Sequence, residues 1–131
     1  MTPEASCSCG QQLRVTVEGE PVRVSVCHCF ACQRRTGSAF GYQARFPIER
    51  FEVQGDYKEY VRYSDDEGEE RRTSFCPECG STVFYKPAPE FVAIPVGAFA
   101  DPSFPPPSVE VYESRRHSWV QMPDGINSEG G

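Results

Sequence analysis

Cys27-His28-Cys29-Phe30-Ala31-Cys32 sets three thiols within one short stretch. Cys7-Ser8-Cys9-Gly10 precedes it and Cys76-Pro77-Glu78-Cys79-Gly80 follows, so three clusters hold all 7 cysteines of the chain. A disulfide framework fits poorly: the count is odd, and a Cys-x-Cys pair does not easily bridge internally. Close cysteine pairs in a reducing compartment bind metal or carry redox chemistry instead. Zinc is the natural ion for such thiolates, being tetrahedral, fond of sulfur and redox-inert.

A structural zinc takes four protein ligands and a catalytic one keeps a position open, so the cysteines divide into a set of four and a set of three. Cys76-x-x-Cys79-Gly80 is a knuckle, in which a tight turn presents two sulfurs and the glycine permits a sharp exit. Its partner pair is Cys7-x-Cys9-Gly10, also followed by glycine. That leaves Cys27, Cys29 and Cys32 on one loop. Spacing alone also permits Cys7 and Cys9 to share an ion with part of this triplet. It permits, too, a single filled four-cysteine site, with the triplet partly empty or merely reduced.

The residues outside the clusters predict what would hold those loops in place. Apolar positions recur with period two, the strand signature. Leu13, Val15 and Val17 alternate with polar residues, as do Val22, Val24 and Val26, and Gly19-Glu20-Pro21 between them predicts a hairpin. Phe40 to Phe46 alternates likewise, and shorter runs follow at 51–54, 57–63, 71–75, 82–85, 91–96 and 109–112. The one helical expectation is a short turn around Cys29 to Arg35. The acidic stretch Ser64 to Glu70, with Asp65, Asp66, Glu67, Glu69 and Glu70, is expected to be a solubilising turn. Asp101 to Ser108, with four prolines, is a rigid loop. Residues 1–121 are expected to form one all-β domain, and 122–131 a flexible polar tail.

Composition limits the function classes. With 131 residues and 38% hydrophobic content the chain is the size of one domain with a real core. Its 13 basic and 19 acidic residues, a formal net charge of -6, do not suggest a nucleic-acid surface. Met1 to Gly10 lacks the apolar segment of a signal peptide, and no run approaches the roughly 18 apolar residues of a membrane span. A soluble, cytoplasmic protein with no membrane partner is expected.

A three-thiolate zinc carries a formal charge of minus one and is a poor activator of water. It suits the holding of an incoming thiol as its thiolate, poised to add to a carbonyl carbon. Arg34 and Arg35 directly follow the triplet, where they could offset its charge or bind substrate carboxylates. Gln33, Thr36 and Ser38 are hydrogen-bonding candidates, and Gly37 serves the backbone. His28 would crowd the ion as a ligand and is expected to pack or hydrogen-bond instead. Arg115-Arg116-His117-Ser118-Trp119 is expected to be a basic turn ending in a core tryptophan, with a pocket wall as the other role for Trp119.

The run Cys27-His-Cys-Phe-Ala-Cys-Gln-Arg-Arg-Thr-Gly-Ser-Ala-Phe40, with Cys7-Ser-Cys-Gly10, Phe75-Cys-Pro-Glu-Cys-Gly-Ser81 and the aromatic Trp119, resembles the glutathione-dependent formaldehyde-activating enzyme family. That family is also called the centromere protein V family, and the likeness spans roughly residues 5 to 120. It implies a β-tent fold of stacked antiparallel sheets, with Cys7, Cys9, Cys76 and Cys79 on a structural zinc and Cys27, Cys29 and Cys32 on a catalytic zinc. It further implies a carbon–sulfur lyase reaction that joins glutathione and formaldehyde. The leading expectation is a zinc-dependent enzyme of this kind that adds glutathione or a similar thiol to a small aldehyde, with Cys27, Cys29 and Cys32 on the catalytic zinc and Arg34 or Arg35 positioning an acidic substrate. The rival expectation is a non-enzymatic zinc module that uses its sheet surface for protein contacts.

Overall fold

A computed structural model describes residues 3–64 and 68–130. The elements run β1 (Glu4–Ser6), β2 (Leu13–Val17), β3 (Arg23–Cys27), α1 (Phe30–Thr36), β4 (Gly41–Pro47), β5 (Phe51–Gly55) and β6 (Lys58–Tyr63). They continue with β7 (Glu70–Phe75), β8 (Thr82–Ala88), β9 (Phe91–Pro95), β10 (Val109–Val111) and β11 (Asn127–Glu129). Short 3-10 turns lie at Ile48–Arg50, Val96–Phe99 and Glu113–Arg115. The class is all-β, as expected. β1, β2 and β5 form a small antiparallel sheet, and the other strands form an eight-stranded sheet in the order β11-β10-β3-β4-β9-β8-β7-β6. Among the described residues no helix is long and apolar enough to cross a membrane.

Period-two alternation builds the core from both sheets. Leu13, Val15 and Val17 on β2 have no accessible surface. They meet Val24, Ala44, Phe46, Val92 and Ile94 of the large sheet in one cluster. The intervening residues of the large sheet, Ser25, Gln43, Arg45 and Ala93 among them, point to the opposite face and line a cavity there. The sheet is therefore apolar toward the small sheet and polar on its other side.

Two expectations about strand pairing are corrected, and the last ten residues carry a strand. β2 and β3 are not a hairpin: β2 pairs with β1 and β5, and β3 with β4 and β10. Both carry apolar stripes for the same core, and two such stripes meet best face to face from opposite sheets. Gly19-Glu20-Pro21 thus crosses between sheets, and Val22 is left 52% exposed. The large sheet is not purely antiparallel, because β10 runs parallel to both β3 and β11. The long proline-rich connection before β10 supplies the return path that parallel pairing needs. That loop is fastened where Phe104 stacks on Phe99 at 5.1 Å and Tyr42 donates its hydroxyl hydrogen to the Pro105 carbonyl. Finally, 122–131 contains β11, and Glu129 at its end pairs with Arg23 at 3.0 Å. Within the acidic stretch, Asp65, Asp66 and Glu67 lie outside the described residues. Glu69 and Glu70 are exposed and pair with Arg71 and Arg72.

Candidate functional site

Two turns bring the first cysteine set together. Cys7 and Cys9 sit between β1 and β2, and Cys76 and Cys79 between β7 and β8, so the cluster fastens the small sheet to the large one. The four sulfurs lie mutually within 4.8 Å, with Cys7 to Cys9 at 3.3 Å and Cys9 to Cys76 at 3.9 Å. A tetrahedron on roughly 2.3 Å zinc–sulfur bonds has edges of about 3.8 Å, so these spacings fit such an ion. The knuckle is built by its backbone: the amides of Glu78 and Cys79 donate to the Cys76 sulfur at 3.3 and 3.4 Å. Gly80 turns the chain away at a φ of 80°. Across the gap the Cys9 amide donates to the Cys79 sulfur at 3.4 Å. Burial raises the Cys76 thiol to about 11, while hydrogen bonding with Ser81 lowers the exposed Cys79 to about 5.

Cys27, Cys29 and Cys32 form the second set, again within 4.8 Å of one another. Cys27 ends β3, and Cys29 is the N-cap of α1, its sulfur accepting the Cys32 amide at 3.3 Å. The cap starts the helix and, with it, brings Cys32 back over Cys29. Gly37 closes the helix in the left-handed conformation at a φ of 67°, its amide donating to the Gln33 carbonyl. Gly41, paired with Cys27, lets α1 approach: a Cβ there would lie 3.3 Å from Cys32 Cβ and 2.9 Å from Arg35 Nη2. Hydrogen bonds from Cys27 and Cys32 hold the Cys29 thiol down to about 2, and the same sharing drives Cys27 far up. Three thiols this close cannot all ionise unless a cation offsets their charge, which is what a thiolate metal site supplies.

His28 carries no ligand role in this geometry. It is fully buried, with Nε2 2.9 Å from Glu110 Oε2 and its ring edge-on to Phe40. Glu110, itself 2% exposed, also receives Arg116 Nη1 at 3.3 Å. Sequence reasoning missed Glu110, although a carboxylate between Val109 and Val111 in a short strand was the available signal. Gln33 is a further brace: Nε2 donates to the carbonyls of His28 at 2.8 Å and Arg115 at 3.2 Å, and Oε1 meets His117 Nε2 at 2.9 Å. Thr36 Oγ1 bonds the Cys32 carbonyl at 2.9 Å. Trp119 is neither in the core nor on the cavity wall. It is 72% exposed and edge-on to His117.

The triplet opens onto a cavity of about 860 Å³ on the polar face of the large sheet, and Cys27, Cys29 and Cys32 all line it. Arg34 and Arg35 reach it from α1, and Arg115 from the turn after β10. Arg23 and Arg45 reach it from β3 and β4, and Arg62, Arg71 and Arg72 from β6 and β7. No carboxylate lines it among the described residues. Arg35 lies over the Tyr85 ring at 6.0 Å, and burial together with the nearby Cys32 pushes the Tyr85 hydroxyl well up. The sequence reading put Arg115 in a basic turn and brought neither it nor the strand arginines to the triplet, because they come from segments far apart in the chain. None of the first cysteine set lines the cavity.

Comparison with curated proteins yields no match. The sequence profile of the glutathione-dependent formaldehyde-activating enzyme matches residues 2–115. That span holds both cysteine clusters and every named element of the structure except β11, and the chain belongs to this family.

Proposed function

We propose that this chain is a zinc-dependent carbon–sulfur lyase-like enzyme that adds a small thiol, glutathione or one similar to it, to a small aldehyde such as formaldehyde. The observation that carries the reading is the inequality of the two clusters. Four sulfurs close one set at a sheet junction, whereas three sulfurs of the other face the cavity and leave a position toward it. The first has the ligand number of a structural zinc, the second that of a catalytic one.

Zinc bound by Cys27, Cys29 and Cys32 would hold a substrate sulfur as thiolate at neutral pH. In the addition the sulfur lone pair forms a bond to the aldehyde carbon. The carbonyl π bond breaks toward oxygen, and the proton given up by the thiol ends on that oxygen, giving a hydroxyalkyl thioether. Cleavage is the same step reversed. Arg34 and Arg35, at the rim of the triplet, orient the acidic end of the thiol and offset the charge of the thiolates. Gln33 and the His28–Glu110 pair hold the loop and helix that carry the three cysteines.

Two measurements test the reading. Metal analysis of protein purified without added zinc should approach two ions per chain, falling to one in Cys29→Ser. A value of one, unchanged in that variant, removes the catalytic site. Carbon NMR of glutathione with labelled formaldehyde should show adduct forming faster with the protein than without it, and equal rates reject the activity.

A further inference from the structure

The last strand brings a carboxylate beside the cysteine triplet. β11 pairs in parallel with β10, and β10 with β3, so Glu129, Val111 and Cys27 stand in one cross-strand row. Residues in such a row share a face of the sheet, and Val111 and Cys27 line the cavity. Glu129 therefore stands on the cavity side, two strand spacings or about 10 Å from Cys27. It lies beside the cavity rather than among its lining residues, with its side chain 52% exposed. Its Oε1 takes Arg23 Nη1 at 3.0 Å, and Oε2 has no hydrogen bond among the described residues. The family profile matches as far as residue 115, so Glu129 lies beyond that likeness.

Arg23 ties this carboxylate to the cavity wall. It stands directly opposite Arg45 on β4, and both arginines line the cavity. Like charges facing each other cost a sheet stability unless an anion joins them. Glu129 does this for Arg23 only in part, since Arg23 Nε is buried without a partner. Burial and the charge of Arg23 hold Arg45 below the usual guanidinium range, and Glu129 acts in the opposite direction. Two guanidinium groups and one carboxylate thus feel one another on this side of the cavity. A group that accepts cations beside two that accept anions is the complement of an α-amino-acid group, whose ammonium and carboxylate sit on one carbon.

We infer that Glu129, Arg23 and Arg45 form a subsite for the α-amino-acid group of the substrate thiol, with its ammonium on Glu129 and its carboxylate on Arg45 and Arg23. The inference rests on the thiol-binding reading above and names how the far end of that thiol is held. The γ-glutamyl arm of glutathione has the length for it, since sulfur and α-carbon are about 9 Å apart when the arm is extended. The glycine carboxylate remains for Arg34 and Arg35. Cysteine carries the same amino-acid group too close to its sulfur to reach.

The test is titration calorimetry on the zinc-loaded full chain with three peptides: glutathione, glutaryl-Cys-Gly, which lacks only the ammonium, and 4-aminobutanoyl-Cys-Gly, which lacks only the α-carboxylate. Loss of either group should weaken binding about fivefold or more, the scale of a partly exposed charge-assisted contact. In Glu129→Gln, glutathione should fall to the affinity of glutaryl-Cys-Gly, which the variant should not weaken. In Arg45→Gln, glutathione should likewise approach 4-aminobutanoyl-Cys-Gly. Equal affinity of the parent protein for all three peptides overturns the inference. So does a Glu129→Gln variant that weakens all three alike, the mark of a residue that merely holds β11 or Arg23 in place. Aldehyde addition, followed separately by carbon NMR, keeps the two claims apart. Addition to glutathione with no dependence of binding on the ammonium or α-carboxylate sinks the inference alone. The expected pattern of binding losses without aldehyde addition sinks the proposed reaction alone, and no binding by any of the three peptides sinks both.

Discussion

Glu110→Ala probes the support beneath the three-cysteine loop. The carboxylate is 2% exposed and is the acceptor for His28 Nε2 at 2.9 Å, inside a ring of residues that leaves His28 no accessible surface. Truncation strands a buried N–H donor, at a cost of about 1–3 kcal/mol. It also removes a buried methylene worth about 0.8 kcal/mol and leaves a small void. Arg116, 31% exposed, can turn to water, so its loss adds little. The sum is about 3 kcal/mol, at the lower edge of the roughly 3–5 kcal/mol found when one partner of a buried pair is removed. With a urea slope of about 2 kcal/mol/M the midpoint should fall by about 1.5 M, and the thermal midpoint by about 10 °C. Zinc is held constant in both titrations, since ligand loss would otherwise be counted as lost stability. Glu110→Gln keeps an acceptor of nearly the same shape and should cost about 1 kcal/mol. An alanine variant within 0.5 kcal/mol of the parent, about the scale of an unremarkable surface change, would refute the role given to Glu110. Equal losses in both variants would show that the charge facing Arg116, rather than an acceptor for His28, is what the site needs.

The remaining expectations concern other parts of the fold. Cys76→Ser should remove one metal ion per chain and loosen the junction of the small and large sheets. Apparent zinc affinities of about 10–16 kcal/mol rival the whole stability of a domain, so the variant should be unfolded or readily cut by protease in the 7–12 turn, and an unchanged urea midpoint would count against a structural ion. Gly55→Ala places a Cβ 1.7 Å from the Gln12 carbonyl oxygen at a φ of 96°, so strain and backbone displacement should cost about 3 kcal/mol or more. A denaturation curve like the parent's would contradict that packing. Trp119 is the only tryptophan, so its fluorescence should resemble that of tryptophan in water and be quenched freely by iodide. Shielded emission would place it elsewhere, and Trp119→Ala should change stability by less than about 0.5 kcal/mol.

The legible parts of the sequence were those governed by local rules. β2 shows clean alternation because its Leu13, Val15 and Val17 face is fully buried, and the turn residues Gly10, Gly37 and Gly80 stand where the chain takes positive φ. The cysteine clusters were equally plain, since ligand spacing is a local property. Pairing between strands was not. Nothing in Gly19-Glu20-Pro21 distinguishes a hairpin turn from a crossing between sheets, because the difference lies in what the flanking valines meet across the core. β1 and β11 are too short to show a period. Glu110 was obscured for a similar reason: one polar residue in three is consistent with either face of a strand until the partner, His28, is known to lie on the inner one.

The arginines illustrate the same limit and carry the functional argument furthest. The chain as a whole has a net charge of -6, and on that figure alone an anionic ligand is a poor guest. Yet eight of its arginines line one cavity, leaving Arg14, Arg50, Arg116, Lys58 and Lys86 for the rest of the molecule. The segregation follows from the pleat: successive strand residues face opposite ways, so valines at even positions of β3 commit Arg23, Ser25 and Cys27 to the other face. The same parity on β4 places Arg45 beside Gln43. At physiological ionic strength charges are screened over about 8 Å, so a ligand inside the cavity responds to the guanidinium groups around it far more than to acidic residues on the outer surface. Local compensation is also what the proposed chemistry demands. A thiolate entering beside three others adds negative charge where it is already in excess, and the arginines set on that wall are the groups able to offset it. Net charge and site charge thus point in opposite directions, and the site charge governs what binds.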